Sequence, residues 1–108
     1  MAEAVEIHVR DTTEGYDLMR ALAVRGLTGT LSESGDRALI AIMCRREETD
    51  RLLADLLPAL DEWRIDAGLA AIDVRVGARR YPISGHADIA RCLAELRDDS
   101  RGRPLVAA

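Results

Sequence analysis

The side chains best suited to nucleophilic or metal chemistry in this chain are His8, His86, Cys44 and Cys92, and no two of them stand at ligand spacing. There is no CxxC or HExxH, so neither a zinc nor a copper centre is expected. No stretch reads as a nucleophile elbow or a Walker phosphate loop, the motifs that would announce a catalytic triad or an NTPase. His8 lies between Glu6 and Arg10 in an alternating run and reads as a partly exposed polar residue. Cys44 and Cys92 are far apart among apolar neighbours, and both are expected to be buried, reduced and unbridged. Asp61, Glu62 and Asp66 close a helical stretch as a solvated face.

Two adjacent guanidinium groups, Arg79 and Arg80, are more informative. They follow the last alternating run directly, where paired forks suit an anion at a sheet edge or subunit cleft. Read alone, they fit two solvated arginines in a loop better than an anion site. Gly68, in the loop ahead of that run, fits an ordinary turn.

The bulk properties narrow the partners. The 108 residues fit one domain, 48% of them hydrophobic and 31% charged, a globular composition. The net charge of −4 repels phosphate backbones, and an aromatic fraction of 3% leaves little for bases to stack on. Nucleic acid is therefore not an expected partner. All fifteen basic residues are Arg, and Lys, Asn, Gln and Phe are absent, which suggests a GC-rich bacterial genome. The opening MAEAVEIHVR lacks a signal-peptide layout, and no apolar run approaches the roughly 20 residues that span a bilayer. A cytoplasmic protein without membrane insertion or cofactor is expected.

The elements that must position these residues are legible in outline. Val5, Ile7 and Val9 alternate with polar residues as a half-buried strand. Asp11 to Gly15 breaks it and supplies caps for a helix carrying Leu18, Met19, Leu22 and Ala23, stopped by Gly26. Leu27 to Glu33 reads as a second strand, and Ser34-Gly35-Asp36 as a tight turn. Arg37 to Cys44, apolar on both faces, predicts a central strand. Arg45 to Arg64 is a long helical pattern with Pro58 predicting a kink or break. Ala71 to Val76 is the fourth strand. Ser84 stands ready to cap a last helix with Ile89, Cys92, Leu93 and Leu96 along its stripe.

The order βαββαβ, with right-handed crossovers, predicts an α+β ferredoxin-like sandwich with an additional C-terminal helix and strand order 4-1-3-2. The domain is placed at residues 1–98 and a flexible tail at 99–108. One sheet face then carries Glu6, His8, Arg10, Leu39, Ala41, Met43, Asp73 and Arg75. Its apolar seam calls for cover, by the last helix or by other subunits.

Residues 21–33, Ala-Leu-Ala-Val-Arg-Gly-Leu-Thr-Gly-Thr-Leu-Ser-Glu, resemble the PII family of trimeric signalling proteins. That family has a first helix ending in Ala-Leu, a Gly-apolar-x-Gly step and a strand of the type T-V-S/T-E-V. Here Gly26-Leu27-Thr28-Gly29 and Thr30-Leu31-Ser32-Glu33 match, one residue short between the two parts. Ile40 to Leu53 resembles the family's third strand and second helix, and Leu57 to Glu62, Gly68-Leu69 and Asp73 to Val76 look like its divergent relatives. The resemblance spans residues 4–83. It implies a homotrimer that binds a small anionic effector, of the adenine-nucleotide class, between subunits and modulates a partner protein. It places the ligand against Thr30, Ser32, Gly35, Gly68, Arg79 and Arg80. The long T-loop of the family is replaced here by Ser34-Gly35-Asp36, and its Gly- and Lys-rich nucleotide loop is absent.

Two other readings stand behind this one. An ACT-like or other ferredoxin-fold ligand-binding or adaptor module would bind no nucleotide. An enzyme on the same fold would act through His8.

Overall fold

The computed structural model describes residues 2–102. The first strand, β1 (Ala2–Val9), buries Val5, Ile7 and Val9 and leaves Glu6 and His8 half-buried on the other side. The chain then turns into α1 (Thr12–Ala23), whose N-cap Asp11 accepts the Glu14 N–H at 2.8 Å through Oδ1. Leu18 and Leu22 bury its inner stripe. Gly26, at φ 77°, ends it in a Schellman arrangement, with Gly26 N–H donating to Ala23 and Leu27 N–H donating to Leu22.

A hairpin follows, β2 (Thr30–Ser34) and β3 (Arg37–Arg45), closed by Gly35 and Asp36. Gly35 takes φ 65° and Asp36 a negative φ, the sign pattern of a type II′ turn. The second strand starts at Thr30, three residues later than the apolar pattern suggested, and a Cβ on the preceding Gly29 would crowd Ile40 and Ala41. A single 3₁₀ turn (Arg46–Glu48) leads into α2 (Thr49–Asp66).

The expected break at Pro58 does not occur, and α2 runs through it. Pro58 and Ala54 are both on the exposed side, so the carbonyl that loses its N–H partner is left to water while Leu56, Leu57, Ala59 and Leu60 stay packed inside. After α2 come β4 (Ile72–Val76) and then a strand that was expected to be loop, β5 (Arg79–Ile83). Gly77, at φ 63°, makes the tight turn between them. The last helix, α3 (His86–Gly102), continues past the boundary expected at residue 98. The remainder of the expected tail, 103–108, lies outside the described residues.

The five strands form one antiparallel sheet in the order β2-β3-β1-β4-β5. The first four stand in the relative order 4-1-3-2 that the chain pattern predicted, and β5 extends the sheet beyond β4. One face, formed by Val5, Ile7, Val9, Ile40, Ile42, Ile72, Val74, Val76, Tyr81 and Ile83, is buried beneath the helices. The last helix packs on α2 and β5, placing Ile89 and Cys92 in the same core. It therefore lies on the helix-bearing side, and among the described residues no helix covers the opposite face of the sheet. Burial of these side chains contributes roughly 1.5–3 kcal/mol each, so the core concentrates on one side of the sheet.

Candidate functional site

Register fixes what the open face carries. One row across the sheet runs Thr30, Ala41, Glu6, Arg75, Arg80, and the next Ser32, Leu39, His8, Asp73, Pro82. Met43 stands opposite Ala4 in a third row. On β3 the apolar Leu39, Ala41 and Met43, the last 62% exposed, lie between Arg37 and Arg45 on the same face, whereas the β1–β4–β5 half mixes acidic and basic side chains. Arg80 Nε donates to both Asp73 carboxylate oxygens at 3.0 Å. His8 Nε2 lies 3.9 Å from Glu6 Oε1, beyond hydrogen-bond reach. His8 Nε2 and Arg75 Nε are shielded from solvent and have no hydrogen-bond partner.

The six residues singled out as a ligand site are not brought together within one chain. Thr30 and Ser32 are exposed on β2 at one edge of the sheet, while Arg79 and Arg80 are exposed on β5 at the other. Four strand spacings separate these edges, about 19 Å. Gly35 occupies the hairpin turn at the end of β2. Gly68, at φ 71°, caps α2: its N–H donates to Ile65 and the next N–H, of Leu69, donates to Arg64. Both glycines are thus accounted for by backbone geometry.

Nor do the two arginines form one fork. As consecutive strand residues they leave β5 on opposite faces. Arg80 goes to the open face, and Arg79 shares the helix side with Tyr81. Burial pushes the Tyr81 hydroxyl above its ordinary value, and the neighbouring Arg79 guanidinium pulls the other way. The ion pair Asp73–Arg80 was not foreseen, because it exists only once β5 is paired beside β4.

The cysteines are both free. Cys92 is fully buried, and desolvation pushes its thiol up to about 11. Cys44 departs from the expectation of burial: it is only half-buried at the end of β3, its thiol 3.7 Å from the Glu3 carbonyl and 3.6 Å from the Thr49 hydroxyl. Among the described residues no three His, Cys, Asp or Glu side chains cluster to hold a metal. No helix among them is long and apolar enough to cross a membrane.

A cleft of about 560 Å³ opens beside the start of α1, where Trp63 and Tyr16 face Arg10, Asp17 and Arg20. Sequence reasoning missed it, since Trp63 reads only as part of a helical stripe. Most of its polar groups already serve the fold. Arg10 is held by Glu14 at 2.7–2.9 Å, Asp11 caps α1, and Asp17 accepts the Trp63 indole N–H at 3.0 Å.

No protein-family model, curated protein or solved structure matches the chain. The likeness to PII proteins therefore stands on the residues quoted for it above.

Proposed function

We propose that this chain is a small non-catalytic regulatory protein of the PII-like kind, built on a ferredoxin-like sandwich. It works as a homo-oligomer, a trimer, that holds a small anionic effector of the adenine-nucleotide class where subunits meet, and it modulates a partner protein. The observation that carries this reading is the open face: the last helix packs elsewhere, and the Leu39–Ala41–Met43 seam is left to other copies. Sheets packed face to face stand about 10 Å apart. At that separation a phosphate bridges Thr30 or Ser32 of one copy and Arg80 of another, a contact one chain cannot make alone.

A second reading, the ACT-like or adaptor module without nucleotide, is favoured by one observation. Arg80 is already neutralised by Asp73, and Arg79 points to the other side of the strand. Calorimetric titration of AMP, ADP, ATP and cyclic AMP separates the two. The regulatory reading expects binding that falls at least tenfold in the Arg79→Ala/Arg80→Ala double variant, since well-formed charge-assisted hydrogen bonds contribute about 1.5–3 kcal/mol each. Binding that survives both substitutions removes these arginines from the site. Silence across the whole panel leaves the adaptor.

A further inference from the structure

The two edges of the sheet do not offer the same backbone. A two-residue hairpin closes on a pair that exchanges both backbone hydrogen bonds, and such pairs alternate along antiparallel strands. In the β2–β3 hairpin the closing pair is Ser34 and Arg37, so Ser34, Ser32 and Thr30 bond inward to β3. Leu31 and Glu33 therefore turn both N–H and C=O outward. In the β4–β5 hairpin the closing pair is Val76 and Arg79, so Arg79, Tyr81 and Ile83 bond inward. That leaves Arg80 and Pro82 facing out, and Pro82 has no N–H. A proline with its ring on the solvent side and a flanking charge are the usual means of blunting an edge. The other edge, Thr30-Leu-Ser-Glu-Ser34, has no proline, no basic residue and no bulge in its register.

We propose that β2 is a self-pairing edge, at which two copies of the chain join antiparallel about a two-fold axis through Ser32. In this register Leu31 meets Glu33 of the second copy, and Glu33 meets its Leu31. All four outward donors and acceptors on each side are then used, in four backbone hydrogen bonds. The strand is complementary to its own reverse: the single charged side chain, Glu33, is set opposite a neutral one, so no like charges face each other. The register that would set the two Glu33 residues face to face is disfavoured on the same ground. The sheet becomes continuous over ten strands, ending at each side in the blunted β5 edge, and so the assembly closes rather than growing into a filament. This pairing does not depend on an effector, and it is compatible with packing through the open face, a trimer then becoming a hexamer.

Glu33→Pro tests it, because that N–H points away from β3 and its loss spares the hairpin. The expected result is a wild-type solution mass equal to an even number of chains, halved in Glu33→Pro with an unchanged circular dichroism spectrum. Should the variant fail to fold, amide exchange of the wild type decides. The Leu31 and Glu33 amides are expected to exchange much more slowly than that of Arg80 at high protein concentration, and to lose that protection on dilution. A monomeric wild type, a folded variant of unchanged mass, or Leu31 and Glu33 amides that exchange as fast as Arg80 at every concentration would each overturn the proposal. A trimer insensitive to Glu33→Pro overturns edge pairing while leaving the regulatory reading intact.

Discussion

At one edge of the sheet β5, and at the other β2, are both five-residue strands that share a hairpin with a glycine at the first turn position, yet the molecule treats them differently. The β5 side chains Tyr81 and Ile83 are core residues clamped beneath α3, and its outward backbone is blunted by Pro82. The β2 strand contributes mainly Leu31 to the interior and leaves its outward backbone whole. An edge built into the core needs protection from strangers, because it cannot move aside to form other pairings. An edge that is lightly anchored and unblunted is the one suited to a partner.

Substitutions at the two edges sharpen this contrast. Ile83→Ala removes a fully buried side chain that β5 shares with the core beneath α3, and a loss of about 2–5 kcal/mol is expected in denaturant unfolding. A loss below 1 kcal/mol would mean that β5 is not part of the core. At the β2 side, Gly29→Ala places a methyl group 2.8 Å from Ile40 Cγ2 and 2.9 Å from the Ala41 carbonyl, so the hairpin must shift. About 1–3 kcal/mol is expected, with amide-exchange protection falling first in β2 and not in β5. Equal loss in both strands would remove the distinction.

The smallest effect is set by pH at the start of α3. The Ser84 hydroxyl and N–H donate to the Asp88 carboxylate at 2.6 and 2.8 Å, with Arg91 alongside, and these hold Asp88 below its ordinary value of 3.8. A depressed carboxylate adds stability above its unfolded value and loses it as pH falls through the folded one. Fraying of the first turn of α3 is therefore expected only below pH 3.8, and Asp88→Asn should abolish that dependence. Amide exchange of α3 between neutral and acid pH checks it. Fraying that begins near neutrality would point to another group.

Much of this was legible in the residues. The alternation in the first strand singled out Val5, Ile7 and Val9, and all three are buried. Gly26 ends α1 as its position suggested. The misses share a cause, which is that local signals were outweighed by neighbours that sequence alone does not reveal. Arg79 to Ile83 is short and holds a proline, so it reads as loop, and only pairing with β4 and cover by α3 make it a strand. Once it is a strand, Arg79 and Arg80 must diverge, and the fork imagined from their adjacency disappears. Pro58 breaks nothing because the carbonyl it strands faces solvent. Gly68, an ordinary turn residue by its position and a ligand contact only by the PII resemblance, is a helix cap.

On the function proposed above, copies of this chain meet at the open face of the sheet. Sedimentation equilibrium of the wild type beside Met43→Asp tests it most directly, because Met43 is exposed in the single chain and its replacement leaves the core untouched. The account predicts a wild-type oligomer that the substitution dissociates by at least tenfold, with the fold unchanged. A wild type that stays monomeric at the highest concentration reached, or an oligomer of equal strength with aspartate in the seam, would contradict it.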